Sequence, residues 1–222
     1  MWPHSSLWHQ QQKSEFALKV IDCEDADQVV TNSFDNEVEA LEILKDCKNI
    51  INLIDHQITP LKRFIILECG ETDLLSFIKE RIAEERKLQN QKAIKLSDKI
   101  YMPFSELKIL FQHMVRAVNS MHKNGMIHLD LKPANFILVK GIVKLIDFGI
   151  ANKLQTEDHT SMNMETSAGT PNYMAPEQII KNRSATIVRT ETSGTSTNGV
   201  KRGYRVGKKT DVWSLGCILH FM

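Results

Sequence analysis

The chain has 222 residues, 42% of them apolar, which is enough to bury a sizeable core in one or two domains. Its 28 basic and 27 acidic side chains leave a formal charge of +1, which argues neither for nor against a nucleic-acid or membrane partner, and neither is expected. Cys23, Cys47, Cys69 and Cys217 form no CxxC pair and no apolar run reaches bilayer length, as expected of a protein with reduced thiols in the cytoplasm or nucleus.

The first element is a strand over EFALKVID, Glu15 to Asp22, where apolar and polar side chains alternate and Ala17 and Lys19 share a face. A helix follows in which Phe34, Val38, Leu41 and Ile43 or Leu44 recur at helical spacing, with Glu37 beside the stripe. Two more strands are expected over INLIDHQI from Ile51 and FIILE from Phe64. Then ECGETD, Glu68 to Asp73, brings the first glycine of the chain, Gly70, and reads as a hinge. The expected division is residues 1–70, a small strand-rich unit with one helix, and residues 71–222, a larger and mainly helical one, giving an α+β class.

Past the hinge, DLLSFIKERIAEERKLQNQKAIKLSDK starts as an amphipathic helix and becomes strongly charged, which suits a solvated insertion. Ser105 to Lys123 is the clearest helix: Leu107, Leu110, Phe111, Met114, Val118 and Met121 form one stripe, and Gly125 is placed to end it. HLDLKPANF (His128 to Phe136), a strand-turn-strand, LIDFGIAN around Asp147 and GTPNYMAPE (Gly169 to Glu177) come next. Asn182 to Lys209, rich in Ser, Thr, Gly and basic residues, is expected to be a disordered surface loop before a helix that starts near Thr210 in DVWSLGC.

These motifs carry the groups that phosphoryl transfer requires. Asp130 can accept the proton of an attacking hydroxyl, and Lys132 can neutralise charge on the moving phosphoryl group. Asn135 and Asp147 can supply hard oxygen ligands to Mg2+. Each piece alone is weak, whereas HxDxKPxN, DFG, GTPNYMAPE and DVWSLGC occur together in the order of the protein kinase signature.

From about Glu15 onward the chain resembles the eukaryotic protein kinases. Within them it is most similar to the monopolar-spindle or TTK-type dual-specificity kinases, through NEVEAL, ECGETDL, HLDLKPANF, KLIDFGIAN, GTPNYMAPE and TDVWSLGCIL. The resemblance implies a two-lobed fold, ATP and Mg2+ as cofactors, and protein substrates phosphorylated on Ser and Thr, with Tyr as a further acceptor. It also implies spindle-checkpoint signalling at the kinetochore. Lys19 would hold the nucleotide phosphates and pair with Glu37. Leu67 would be the gatekeeper, Glu68 and Gly70 would offer backbone groups to adenine, and Ala17 and Ile137 would sandwich the purine. Asp130 would be the catalytic base and Lys132 its cation, Asn135 and Asp147 the metal ligands, and Thr170 a contact to the Asp130–Lys132 pair. His128 would stack on Phe148 and a residue like Leu41, and Asp211 would accept backbone N–H bonds from the catalytic loop. Thr160, Ser161, Thr166, Ser167 and Thr170 would be phosphorylation sites, reached in trans through self-association, with Thr160 foremost. Leu129 stands where the H-R-D arginine usually lies, so an activating phosphate would need another cation, for which Lys144 and Lys153 are candidates.

The chain departs from the family pattern at both ends. SSLWHQQQ stands where a glycine-rich loop is expected, and the sequence stops at Met222 inside a helix. A piece truncated at both ends is therefore expected. The alternative function is a catalytically impaired kinase-like protein that works by binding partners.

Overall fold

The computed structural model describes residues 15–24, 28–91, 102–148, 152–153, 161–164, 169–179 and 204–222. The region of the expected glycine-rich loop, the end of the charged insertion, Thr160 and Thr166 lie outside the described residues. Strand β1 (Phe16–Asp22) and helix α1 (Gln28–Ile43) open the chain, followed by β2 (Leu53–Ile58) and β3 (Lys62–Glu68). The three strands form an antiparallel sheet in the order β1-β3-β2, with Ala17 opposite Leu67 and Lys19 opposite Ile65. β2 begins two residues later than the alternation suggests because Ile51 is diverted, donating its N–H to the Leu145 carbonyl at 3.0 Å.

The apolar stripe of α1 faces the core. Phe34, Leu41 and Leu44 are fully buried, and each contributes roughly 1.5–3 kcal/mol by leaving water. Arg63 on β3 fastens the helix to the sheet: its guanidinium lies 5.1 Å over the Phe34 ring and donates to the Thr31 carbonyl at 2.8 Å and the Asp35 carboxylate at 2.6 Å.

After the glycine-containing turn, β4 (Thr72–Asp73) leads into α2 (Leu74–Gln91). Asp73 ends the strand and caps the helix, accepting the Ser76 N–H at 3.0 Å and the Ser76 hydroxyl at 2.7 Å. Helix α3 (Phe104–Lys123) starts after Pro103, carries Glu106 in its first turn and His122 and Lys123 in its last, and buries Leu110, Met114, Ala117, Val118 and Met121. Gly125, at φ +69°, takes the left-handed conformation just beyond the helix end.

The next strands are β5 (Met126–Ile127), β6 (Phe136–Val139), β7 (Ile142–Leu145), β8 (Asn152–Lys153) and β9 (Ser161–Met164). β6 and β7 form a hairpin turned by Lys140 and Gly141, both at positive φ, as a two-residue I′ turn needs. β4 pairs with the β6 edge, while Ile50 bridges to Leu145 at the β7 edge. Thus the segment just after the hinge grips the hairpin at one edge and Ile50, before β2, grips it at the other. Asn49 adds a side-chain amide bond to the Val143 carbonyl at 3.0 Å, and His113 Nδ1 on α3 accepts the Val143 N–H at 3.3 Å.

A four-residue helix, α4 (Pro176–Ile179), precedes β10 (Tyr204–Gly207) and α5 (Lys208–Phe221). β10 corrects the expectation of a disordered loop through Lys209. It pairs with β9 and buries Val206, and Gly207 N–H bonds to the Thr210 hydroxyl, so α5 begins at Lys208. The β9–β10 pairing is long-range in sequence and leaves no local signature.

His113 generates a pH prediction. Burial first, then Arg116 and Lys48, hold its imidazole below the usual value of 6.5. A depressed histidine contributes stability at pH above its unfolded value and loses it as the pH falls below. We expect the denaturation midpoint to decrease between about pH 7.5 and 5.5. His113→Asn, which keeps an acceptor for Val143, should weaken that dependence; an equally steep loss in the variant would contradict it.

Candidate active site

Lys19 projects from the middle of β1 toward α1. Its Nζ lies 2.6 Å from Glu37 Oε2 and 3.7 Å from Asp147 Oδ1. Glu37 is buried, and burial raises its pKa while the Lys19 ammonium works against that shift. The lysine therefore bridges a buried carboxylate on α1 and a half-exposed one after β7.

Beyond Lys19, Ala17 lies opposite Leu67, next to the turn between β3 and β4. In that turn a Cβ on Gly70 would sit 2.4 Å from the Ile137 side chain, so only glycine lets the chain approach β6 so closely. The Glu68 carboxylate accepts the Asn52 N–H at 2.8 Å and pairs with the buried Lys144 ammonium. Lys144 is thus committed to the hinge, which removes it as a cation for an activation-segment phosphate. Lys153 lies in β8, and its side chain is outside the described residues.

The HLDLKPANF segment crosses beneath this lysine as irregular backbone pinned from several sides. Asp211, fully buried at the first turn of α5, accepts the His128 N–H at 3.0 Å and the Leu129 N–H at 2.9 Å, and lies 2.7 Å from His122 Nε2. Leu129 has φ +70°, a left-handed conformation that a branched side chain adopts at a cost. His128 is buried, with its ring 6.0 Å from that of Phe148. Burial holds its pKa down, and the neutral Nδ1 accepts the Asp130 N–H at 3.3 Å, so this imidazole organises the loop.

Asp130 then presents both oxygens toward a common point. Lys132 Nζ donates to its Oδ2 at 2.7 Å, the Thr170 hydroxyl donates to its Oδ1 at 2.6 Å, and Lys132 also donates to Thr170 Oγ at 3.2 Å. Thr170 follows Gly169, whose φ is +120°. A Cβ on Gly169 would come 2.8 Å from the Leu129 carbonyl oxygen.

Asn135 is buried in a 3₁₀ turn (Pro133–Asn135), and its Oδ1 has no hydrogen-bond partner. Its carbonyl accepts the Ile146 N–H at 2.8 Å, which places the amide beside the residue preceding Asp147. Asp147, at φ +65°, turns a half-exposed carboxylate toward Lys19. An unpaired buried amide oxygen and an open carboxylate suit a hard cation that completes its shell with water and substrate phosphate oxygens, as Mg2+ does. Among the described residues no group of three or more His, Cys, Asp or Glu side chains gathers to hold a metal.

Sequence reasoning missed three contributors: Gln178, whose amide reaches the Leu129 carbonyl, Lys144 at the hinge, and His122 on Asp211. Nothing in a single sequence separates these polar residues from surface ones. Replacing Asp211 by Asn should leave one of two buried peptide N–H groups without an acceptor, costing about 1–3 kcal/mol in denaturant unfolding. An unchanged unfolding free energy would refute the anchoring role.

The sequence matches the protein kinase domain family over residues 5–222. It is 39% identical over 211 residues to the dual specificity protein kinase Ttk of Danio rerio, covering 95% of this chain and 18% of that protein. It is 38% identical to the dual specificity protein kinase TTK of Mus musculus, with coverages of 93% and 21%. For the serine/threonine-protein kinase MPS1 of Saccharomyces cerevisiae the identity is 36%, with coverages of 93% and 24%. The chain spans about a fifth of the length of these curated relatives. With its strand-rich first part, helical second part and this similarity to TTK and MPS1 kinases, the chain belongs to the protein kinase domain family.

Proposed function

We propose that this domain transfers the γ-phosphate of ATP to protein serine and threonine hydroxyls, with tyrosine as a further acceptor. The observation that carries this reading is the closed Lys19–Glu37 pair beside Asp147, together with the Asp130–Lys132–Thr170 network. A binding module has no need to hold both constellations together.

In this reading Lys19 binds substrate phosphate oxygens and is oriented by Glu37. Gly70 and the Glu68 backbone face adenine, Ala17 and Ile137 cover its two faces, and Leu67 limits the depth of its cleft. Asn135 and Asp147 would hold Mg2+, which would supply charge neutralisation at the phosphate oxygens. Asp130 orients the incoming hydroxyl and takes its proton as the oxygen bonds to the γ-phosphorus and the bond to the ADP oxygen breaks. Lys132, already paired with Asp130, offsets charge on the moving group. Thr170 holds the Asp130 carboxylate in one rotamer.

To the same proposal belong a spindle-checkpoint role in the cytoplasm or nucleus, at kinetochores, and self-association for phosphorylation in trans at Thr160 and Thr166, all resting on the family resemblance. Among the described residues no helix is long and apolar enough to cross a membrane. Division of the chain at residue 70 into two lobes that close on nucleotide belongs to the same proposal.

Lys19→Ala and Asp147→Ala should each weaken Mg-ATP binding, because each removes charge facing phosphate or metal, whereas Asp130→Asn should spare binding and abolish transfer. Calorimetry and a peptide assay on the full-length protein separate the two classes. Mass spectrometry should find activation-segment phosphate in the parent and none in Asp130→Asn. Equal loss of ATP binding in all three variants, or equal phosphate in the control, would sink the assignment.

Thr170 has a separate expectation. Thr170→Val removes a hydrogen bond to a charged group, of about 1.5–3 kcal/mol, so kcat should fall roughly 10- to 100-fold. Thr170→Ser should retain most of it. Phosphate on Thr170 would break the same contact and inhibit, so a stoichiometrically Thr170-phosphorylated enzyme with full activity would contradict this role.

A further inference from the structure

Gln178 is one of the few buried polar side chains, and the phosphoryl-transfer reading gives it no task. It lies on α4, 49 residues from the catalytic loop, yet its Nε2 donates to the Leu129 carbonyl at 3.0 Å. Its Oε1 accepts the Ala175 N–H at 2.9 Å, which fixes the amide plane and therefore the direction of the donor. The peptide groups of Leu129 are held on both sides: Asp211 takes the N–H and Gln178 the carbonyl. This is also a residue at φ +70°, whose conformation persists only if its surroundings impose it.

Two neighbours show that the contact is built in. Gly169 leaves room for it, since a Cβ there would lie 2.8 Å from the Leu129 oxygen and 3.3 Å from Gln178 Nε2. Next to Gly169, Thr170 bonds Asp130, the residue following Leu129. The 169–178 segment therefore grips consecutive residues of the catalytic loop, one by backbone and one by side chain.

We infer that Gln178 is a positioning residue: its amide holds the Leu129 peptide, and through it the adjacent Asp130, in register with the 169–178 segment. The catalytic loop then gains a fixed link to the activation segment through a neutral, buried hydrogen bond at the position where H-R-D kinases carry an arginine. This inference deepens the kinase reading and rests on it for its effect on rate. Its effect on the loop does not depend on activity.

The test uses the full-length protein with Gln178→Met, which keeps the volume and loses both bonds, and Gln178→Glu, which keeps the acceptor and loses the donor. Hydrogen exchange of a peptide spanning residues 126–136 and steady-state kinetics are measured for both. Exchange in that peptide should speed up on the order of 10-fold in both variants while peptides from α3 stay unchanged. The kcat should fall on the order of 10-fold, with KM for ATP moving less than about 2-fold. Unaltered exchange in the 126–136 peptide, an unaltered kcat, or a global loss of protection in both variants would overturn the inference. A parent protein that transfers no phosphate would defeat the kinase reading instead, and the exchange measurement would still decide whether Gln178 holds the loop.

Discussion

The catalytic loop depends on one buried carboxylate. Asp211 has no access to solvent and faces two peptide N–H groups and an imidazole, so its charge is compensated by hydrogen bonds that only one backbone path can offer. That path includes the positive φ of Leu129, which an isolated loop would relax. Once it is imposed, His128 is carried under Phe148 and Asp130 is carried outward toward Lys132 and Thr170. The first turn of α5, more than 80 residues away in sequence, thus sets the direction of the proposed base.

The second constraint is the balance around Lys19. Its ammonium stands between Glu37, which burial pushes toward the neutral form, and Asp147, which remains open to water. The 2.6 Å contact with the Lys19 ammonium opposes that shift, and it does so only while α1 stays against the sheet. Arg63 secures that placement through the Phe34 ring and the Asp35 carboxylate, within one turn of Glu37, and through the Thr31 carbonyl one turn further back. Helix docking and lysine pairing are therefore a single equilibrium.

Much of this was legible in the sequence because the relevant signals are local. The alternation around Lys19, the 3.6-residue stripe of α3 and the Gly70 break each depend on nearest neighbours, and the motifs place chemical groups at fixed short spacings. The β9–β10 pairing and the late start of β2 were not legible, since each is decided by a partner far along the chain. Polar residues show the same divide. Asp130 and Asn135 announce themselves within one motif, whereas Gln178 and Lys144 acquire their tasks only when Leu129 and Glu68 arrive beside them.

The β6–β7 hairpin, gripped by Thr72–Asp73 at one edge and by Ile50 at the other, has a mechanical consequence. The two attachments flank the two-stranded hairpin and stand about 14 Å apart at ordinary strand spacing, so it is held from both edges. Asn135 and Asp147 lie at the two ends of the hairpin, whereas Lys19 lies on the separate β1-β3-β2 sheet. If the two lobes of the proposed kinase open, the 3.7 Å separation between Lys19 and Asp147 is the one that lengthens, because it spans two sheets, while Asn135 and Asp147 share one hairpin.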